Sequence, residues 1–234
     1  FLPEGVTPAS GILQSAVREI FEDFDSWTIR IFDNMLVLAD SYADAFEKLK
    51  KIISRCKERN IVLKFSKSWL GFEEVNFFGF ECKHNSYGLS TKRKNSIKIM
   101  PMPDSQKKMQ SFLGTALFFS SFVPNYSELT APLHDMIKQD FSWNKSEWKV
   151  DYESIFEGFK ESLLRACELF YPDYNLDWIM RCDASDVAVA VVLIQVKVLE
   201  DGSTVHQPLG FASEKLSDHA KRWPIYEKEL YSIV

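Results

Sequence analysis

The chain has 234 residues, 46% of them hydrophobic, and a formal net charge of -5. That length and apolar content permit one or two globular domains with a sizeable core. No apolar run approaches the roughly 18 residues of a membrane span, so no membrane partner is expected. Cys56, Cys82, Cys167 and Cys182 form no C-x-x-C pair, and only Cys82 has a His close by in sequence, His84, with no second cysteine beside it. That spacing argues against a disulfide framework or zinc site, implies no disulfide partner, and fits a reducing intracellular compartment.

In chain order, residues 9–24 space Ile12, Leu13, Val17, Ile20, Phe21 and Phe24 as an amphipathic helix. Trp27 to Phe32 and Met35 to Leu38 read as paired strands around Asp33-Asn34, where apolar-Asp-Asn-apolar is a turn signal. A helix follows from Ser41 to Asn60, with Ala45, Leu49, Ile52, Ile53 and Cys56 on one stripe and lysines opposite. The segments "IVLKF" and "EVNFFGFEC" read as short strands and "KHNSYG" as a turn. After the break at "MPMPD" the texture becomes helical. One helix ends at Pro124, "YSELTAPLHDMIKQ" is a second and "DYESIFEGFKESLLRAC" a third. From Leu176 the pattern turns to strands, "DWIMRCDAS" and "VAVAVVLIQVKV". Asp201-Gly202 then turns into "TVHQPLGFAS", and a helix runs to the end. The start at Phe-Leu-Pro-Glu-Gly and the stop inside "YEKELYSIV" read as cuts through a longer polypeptide.

The net charge conceals an asymmetry. Between Lys48 and Lys108 there are 15 Lys and Arg against 5 Asp and Glu. A basic middle in an acidic protein points to a polyanion partner; the alternative is a solvated helical face. Lys48, Lys50, Lys51 and Lys57 fit the second description, on the polar side of one helix.

Five collinear segments resemble the reverse transcriptases of gypsy-type LTR retrotransposon Pol polyproteins. They are "LPEGVTPASGILQ", the hairpin "IRIFDNMLVLA", "KSWLGFEEVNFFGFEC", "SFLGTALFFSSFVPNYSELTAPLHDMIK", and "RCDASDVAVAVVLIQ" with the later "EKEL". The resemblance implies an α/β and α+β multidomain chain. It would comprise a palm (1–83), a helical thumb or connection (84–150) and the first part of an RNase H-like domain (151–234). It implies RNA-directed DNA synthesis and cleavage of RNA in hybrids, both by two-metal chemistry with magnesium, or manganese in its place. Partners would be a primer–template duplex, deoxynucleotides and the rest of the polyprotein, in a cytoplasmic particle.

Residue by residue, the resemblance puts Ile31 on the Tyr, Asp33 on the first Asp and Asn34 on the second Asp of the family's Y-x-D-D hairpin. Asp33 is thus a catalytic metal ligand and Asn34 a departure, because an amide oxygen reaches a metal without charge. Glu4 and Gln14 fall near the nucleotide. Lys67, Phe78 and Gly79 fall on the segment that grips the primer, with one of Phe77 and Phe78 expected in the core. Lys92, Arg93, Lys94, Lys107 and Lys108 fall where the thumb meets duplex. Asp183 and Glu229 match two nuclease metal ligands and Asp186 a structural Asp; Glu227, two residues from Glu229 on another helix face, reads as solvated. The family's first palm Asp would precede residue 1, and its last two nuclease carboxylates would follow Val234. The rival reading is a catalytically inactive or domesticated derivative that only binds nucleic acid; a third is a decayed copy.

Overall fold

A computed structural model describes residues 9–234, which fall into two compact units that meet at Val75 and Asn76. Each is built on its own core.

In the first unit, helix α1 (Ala9–Ile20) runs into a 3-10 turn at Glu22–Phe24, followed by the hairpin β1 (Thr28–Ile31) and β2 (Asn34–Val37). Helix α2 (Tyr42–Glu58) starts at Ser41, whose hydroxyl accepts from the Asp44 amide at 3.2 Å. That bond satisfies one of the free amides of the first turn, the usual reason for Ser at such a position. The apolar stripe of α2 buries Ile52 and Cys56 against Phe21 and Phe24, with Val17, Trp27, Met35 and Val37 at the margin. The hairpin therefore rests on the helix by its apolar side chains. "IVLKF" is not a strand. Ile61 and Leu63 pack on this core while Val62 points to solvent, and the segment closes in a 3-10 turn at Phe65–Lys67.

The second unit opens with a four-stranded sheet, β3 (Val75–Phe77), β4 (Phe80–Cys82), β5 (Ser86–Leu89) and β6 (Leu169–Phe170), in that order. Strand β5 forms where the sequence suggests only a turn. It pairs with β4 on one side and with the distant β6 on the other. Helices α3 (Thr91–Lys98), α4 (Gln106–Leu117), α5 (Tyr126–Asp135) and α6 (Tyr152–Leu164) follow. Their shared core holds Met109, Phe112, Phe119, Phe122, Leu133, Phe156 and Phe159, all at most 5% exposed. Leu117 and Phe118, at the end of α4, are more than half exposed.

The last section is a three-stranded antiparallel sheet, β7 (Asp177–Ala184), β8 (Ala188–Val198) and β9 (Thr204–Lys215), with helix α7 (Ile225–Tyr231). Asp201-Gly202 makes the turn the sequence signals, with Gly202 at φ 79° and the Asp201 carboxylate accepting from the Ser203 amide at 2.9 Å. Pro208 sits opposite Ile194 where the register slips, so its missing N–H falls at an irregularity in the ladder. Gln195, 3% exposed, is satisfied by the Asp173 amide, the Tyr171 carbonyl and the Gln207 side chain. No described helix is long and apolar enough to cross a membrane.

Candidate carboxylate sites and nucleic-acid interface

The β1–β2 hairpin closes in a two-residue loop, because Ile31 pairs with Asn34. The loop is Phe32-Asp33, so Asn34 is already the first residue of β2, and the strand starts one place earlier than the sequence pattern suggests. Phe32 takes φ 54°, the left-handed conformation that tight hairpin loops require. The base of the hairpin is tied down. The Thr28 hydroxyl, buried, donates to the Phe24 carbonyl at 2.8 Å. The Arg30 guanidinium donates to the Phe21 carbonyl at 2.5 Å and to the Thr28 hydroxyl at 2.9 Å, and pairs with Asp25. Asp33 is thus carried into solvent at the end of an anchored ribbon.

Asn34 is exposed beside it, its amide nitrogen 3.4 Å from an Asp33 carboxylate oxygen. Turning the amide would present its oxygen instead. Together they offer one charged and one neutral oxygen. Magnesium takes one or two protein carboxylates and fills its other positions with water and phosphate, so this donor pair fits as part of a site. Gln14 is exposed on α1, Lys67 is exposed in the 3-10 turn, and Glu4 lies outside the described residues.

In the second unit, Phe78 and Gly79 form the turn between β3 and β4, with φ of 50° and 88°. Phe78 is therefore not a strand residue whose neighbour must face the core. It is 38% exposed, and its ring meets that of Phe77 edge-on at 4.9 Å. The Gly79 carbonyl accepts from the Ser90 amide at 3.0 Å, and the Ser90 hydroxyl accepts from the Arg93 amide, capping α3. The Arg93 guanidinium lies where a side chain at Gly79 would go, 3.2 Å from that position, and faces the Phe119 ring at 5.4 Å. Lys92 and Lys107 are exposed and Lys94 half-buried. Lys108 pairs with Asp104 at 2.7 Å, which neutralises part of its charge.

In the last sheet, Asp183 is exposed near the end of β7, and Glu229 is half-buried on α7. Glu229 lines an open cleft with Met180, Cys182, Ile225, Leu230 and Ile233. Asp183 follows Cys182 along the strand but does not line that cleft. Among the described residues no group of three or more His, Cys, Asp or Glu stands together as a metal cage. Glu227 is exposed.

The residue beside Glu229 is one sequence reasoning missed. Lys228 is 3% exposed, and its ammonium donates to the Asp186 carboxylate at 2.9 Å. That hydrogen bond first, and the charge behind it second, hold the Asp186 carboxyl below its usual range. The structural role expected for Asp186 thus has a named partner. A Lys at helical spacing gives no sign of burial, so only the fold reveals the pair.

Residues 148–234 match the family model of the RNase H-like domain found in reverse transcriptase. Over all 234 residues the chain is 24% identical to the Tf2-7 and Tf2-3 transposon polyproteins of Schizosaccharomyces pombe. It spans 17% of the length of those relatives. Its fold matches the foamy viral protease-reverse transcriptase solved with an RNA/DNA hybrid, at TM-score 0.81 and 21% identity over 99% of this chain and 30% of that one. The dRH form of that protein, solved with double-stranded DNA, matches at TM-score 0.85 and 22% identity, over 99% of this chain and 39% of that one.

Proposed function

We infer, for a chain that belongs among the retrotransposon Pol polyproteins, that this segment supplies part of a polymerase metal site and part of the surface that holds a primer–template duplex. The observation that carries the reading is the anchored hairpin. Arg30 and Thr28 fix its base, and its two-residue loop holds Asp33 free in solvent. A carboxylate presented by a rigid ribbon loses little freedom on binding a cation, which is the advantage of such a placement.

In this reading residues 1–83 act as palm, 84–150 as thumb and 151–234 as the RNase H-like section. Asp33, with Asn34 beside it, would hold magnesium or manganese, and Asp183 and Glu229 would do so for hybrid cleavage. A bound divalent ion supplies charge neutralisation for the attacking and leaving oxygens of phosphoryl chemistry. Gln14 would lie near the incoming deoxynucleotide. Lys67, Phe78, Gly79, Lys92, Lys94, Lys107 and Lys108 would face the duplex, with Arg93 set behind the Phe78-Gly79 turn. Contacts of this kind fix position without reading sequence. The proposed setting is a cytoplasmic particle containing the rest of the polyprotein. That the solved neighbours of the same fold were complexes with an RNA/DNA hybrid and with double-stranded DNA supports a duplex partner.

Asn34 favours a second reading, a protein that binds nucleic acid without copying it. The amide adds no charge at the one place where a second carboxylate would double it. Primer extension with the whole polyprotein, beside its Asn34→Asp form, separates the two. Synthesis by the natural protein, abolished by Asp33→Ala with duplex binding intact, supports catalysis. Synthesis only after Asn34→Asp supports the binding-only reading. Loss of duplex binding in Asp33→Ala would overturn the metal role.

A further inference from the structure

We propose that Arg93 is a positioning residue for the Phe78-Gly79 turn and does not itself hold a phosphate. The proposal deepens the reading of this turn as a contact for a nucleic-acid strand and rests on it. Five observations meet at this point. Phe78 and Gly79 both take positive φ, so the turn is a conformation that needs support. Gly79 leaves an open face, and the Arg93 guanidinium fills it, 3.2–3.6 Å from where a Cβ would stand. The guanidinium carbon also lies over the Phe119 ring, 5.4 Å from its centroid, and Phe119 is 1% exposed in the core. Phe80, directly after Gly79, stacks on Phe118 and Phe122 at 5.0 and 5.3 Å. The Gly79 carbonyl is bound by Ser90, and Ser90 also caps the helix that carries Arg93.

The consequence is a closed loop of dependence. The turn holds its shape because a planar cation sits between a glycine backbone and a buried ring. A guanidinium does this well, being planar, weakly hydrated and able to stack; an ammonium on a flexible stem does not. In that place Arg93 sets the height of Phe78, the exposed ring at the apex, without reaching outward. Lys92, its exposed neighbour, keeps the outward role.

Two measurements on the full chain decide the matter. The first is hydrogen exchange at the Ser90 amide, which reports the bond to Gly79 directly, with the Ile99 amide at the far end of α3 as reference. The second is the salt dependence of binding to a primer–template duplex, in Arg93→Gln, Arg93→Lys and Gly79→Ala. We expect both Arg93 variants to speed Ser90 exchange about tenfold while Ile99 is unchanged, as loss of one local contact would. Binding at fixed salt should weaken with the salt slope unaltered, Lys should fail to rescue it, and Gly79→Ala should reproduce the pattern. A slope lower by about 0.9, rescue by Lys, and unchanged Ser90 exchange would make Arg93 a phosphate contact and overturn the proposal. Unchanged Ser90 exchange alone also overturns it. Should the natural chain bind no duplex, the reading of the turn as a nucleic-acid contact fails, and the exchange data still decide what Arg93 does.

Discussion

Ser127 on α5 donates two hydrogen bonds to Ser213 on β9. The Ser127 amide donates to the Ser213 hydroxyl at 2.9 Å, and the Ser127 hydroxyl donates to the Ser213 carbonyl at 2.8 Å. The pair joins a helix that precedes the RNase H-like match at 148–234 to a strand inside it. Phe211, two residues before Ser213, packs on the core of α4 to α6. The helical section and the sheet are therefore one body, not two joined by a linker. Ser213→Ala should cost about 1–2 kcal/mol of unfolding free energy, since it removes one acceptor from a part-buried amide. Ser127→Ala with Ser213→Ala should cost less than the sum of the two. Additive urea-unfolding values would show that the pair is not coupled.

The Asp186–Lys228 pair predicts an acid dependence with a definite sign. Lys228 lowers the Asp186 carboxyl from its ordinary 3.8 in the folded state. A carboxyl shifted this way adds stability that is complete above 3.8 and is lost as the pH falls through its folded value. Asp186→Ala should therefore melt below the natural chain at neutral pH, and the two curves should converge in acid. A gap that stays constant to the lowest pH at which the chain folds would remove the pair from the account.

Phe156 is fully buried, 4.8 Å from the Phe112 ring and under the Lys160 ammonium at 5.3 Å. Phe156→Ala should cost about 3–5 kcal/mol, through lost burial and the cavity left behind. Val62→Ala, at a position 93% exposed, should stay within about 0.5 kcal/mol. Chemical denaturation of both variants measures the contrast. Equal effects would mean that Phe156 contributes no more to stability than a solvent-exposed side chain.

For the basic surface, Lys92→Gln with Lys107→Gln removes two exposed charges. The salt slope of duplex binding should fall by about 1.8, the value for two phosphate contacts. Lys108→Gln should change it less, because Asp104 already pairs with that ammonium. An unchanged slope in the double variant would leave these lysines as solubilising surface.

Much of the fold was legible where one face of an element is buried. The stripe of α2 and its Ser41 cap, the helices around Phe112 and Phe156, and the Asp201-Gly202 turn follow from pattern and local chemistry. What failed had other causes. "IVLKF" alternates because an extended segment lies on the first core, not because another strand pairs with it. Helix α3, "TKRKNSIK", buries only Ile97 and has no stripe to detect. Strand β5, "SYGL", pairs with the adjacent β4, but its Ser and Gly make it read as turn and it lacks a run of strand-favouring residues. At the candidate sites, Asp33, Asp183 and Glu229 could be named from motif. The supports of the hairpin (Arg30) and of the turn (Arg93) could not, since their roles arise from contacts with backbone.

Phe32 and Phe78 share a property that bears on how such a chain changes over generations. Each is a bulky residue held at positive φ at the apex of a hairpin, where glycine would sit at no steric cost. A population selected only for heat resistance would find glycine at both apices quickly, because either change relieves strain and disturbs no core. The same lineages would shed their aromatic tips. If the Phe78 turn is the contact proposed above, persistence of phenylalanine there in a copy would serve as a record of use, while glycine would date the point at which an element was kept merely as a folded relic.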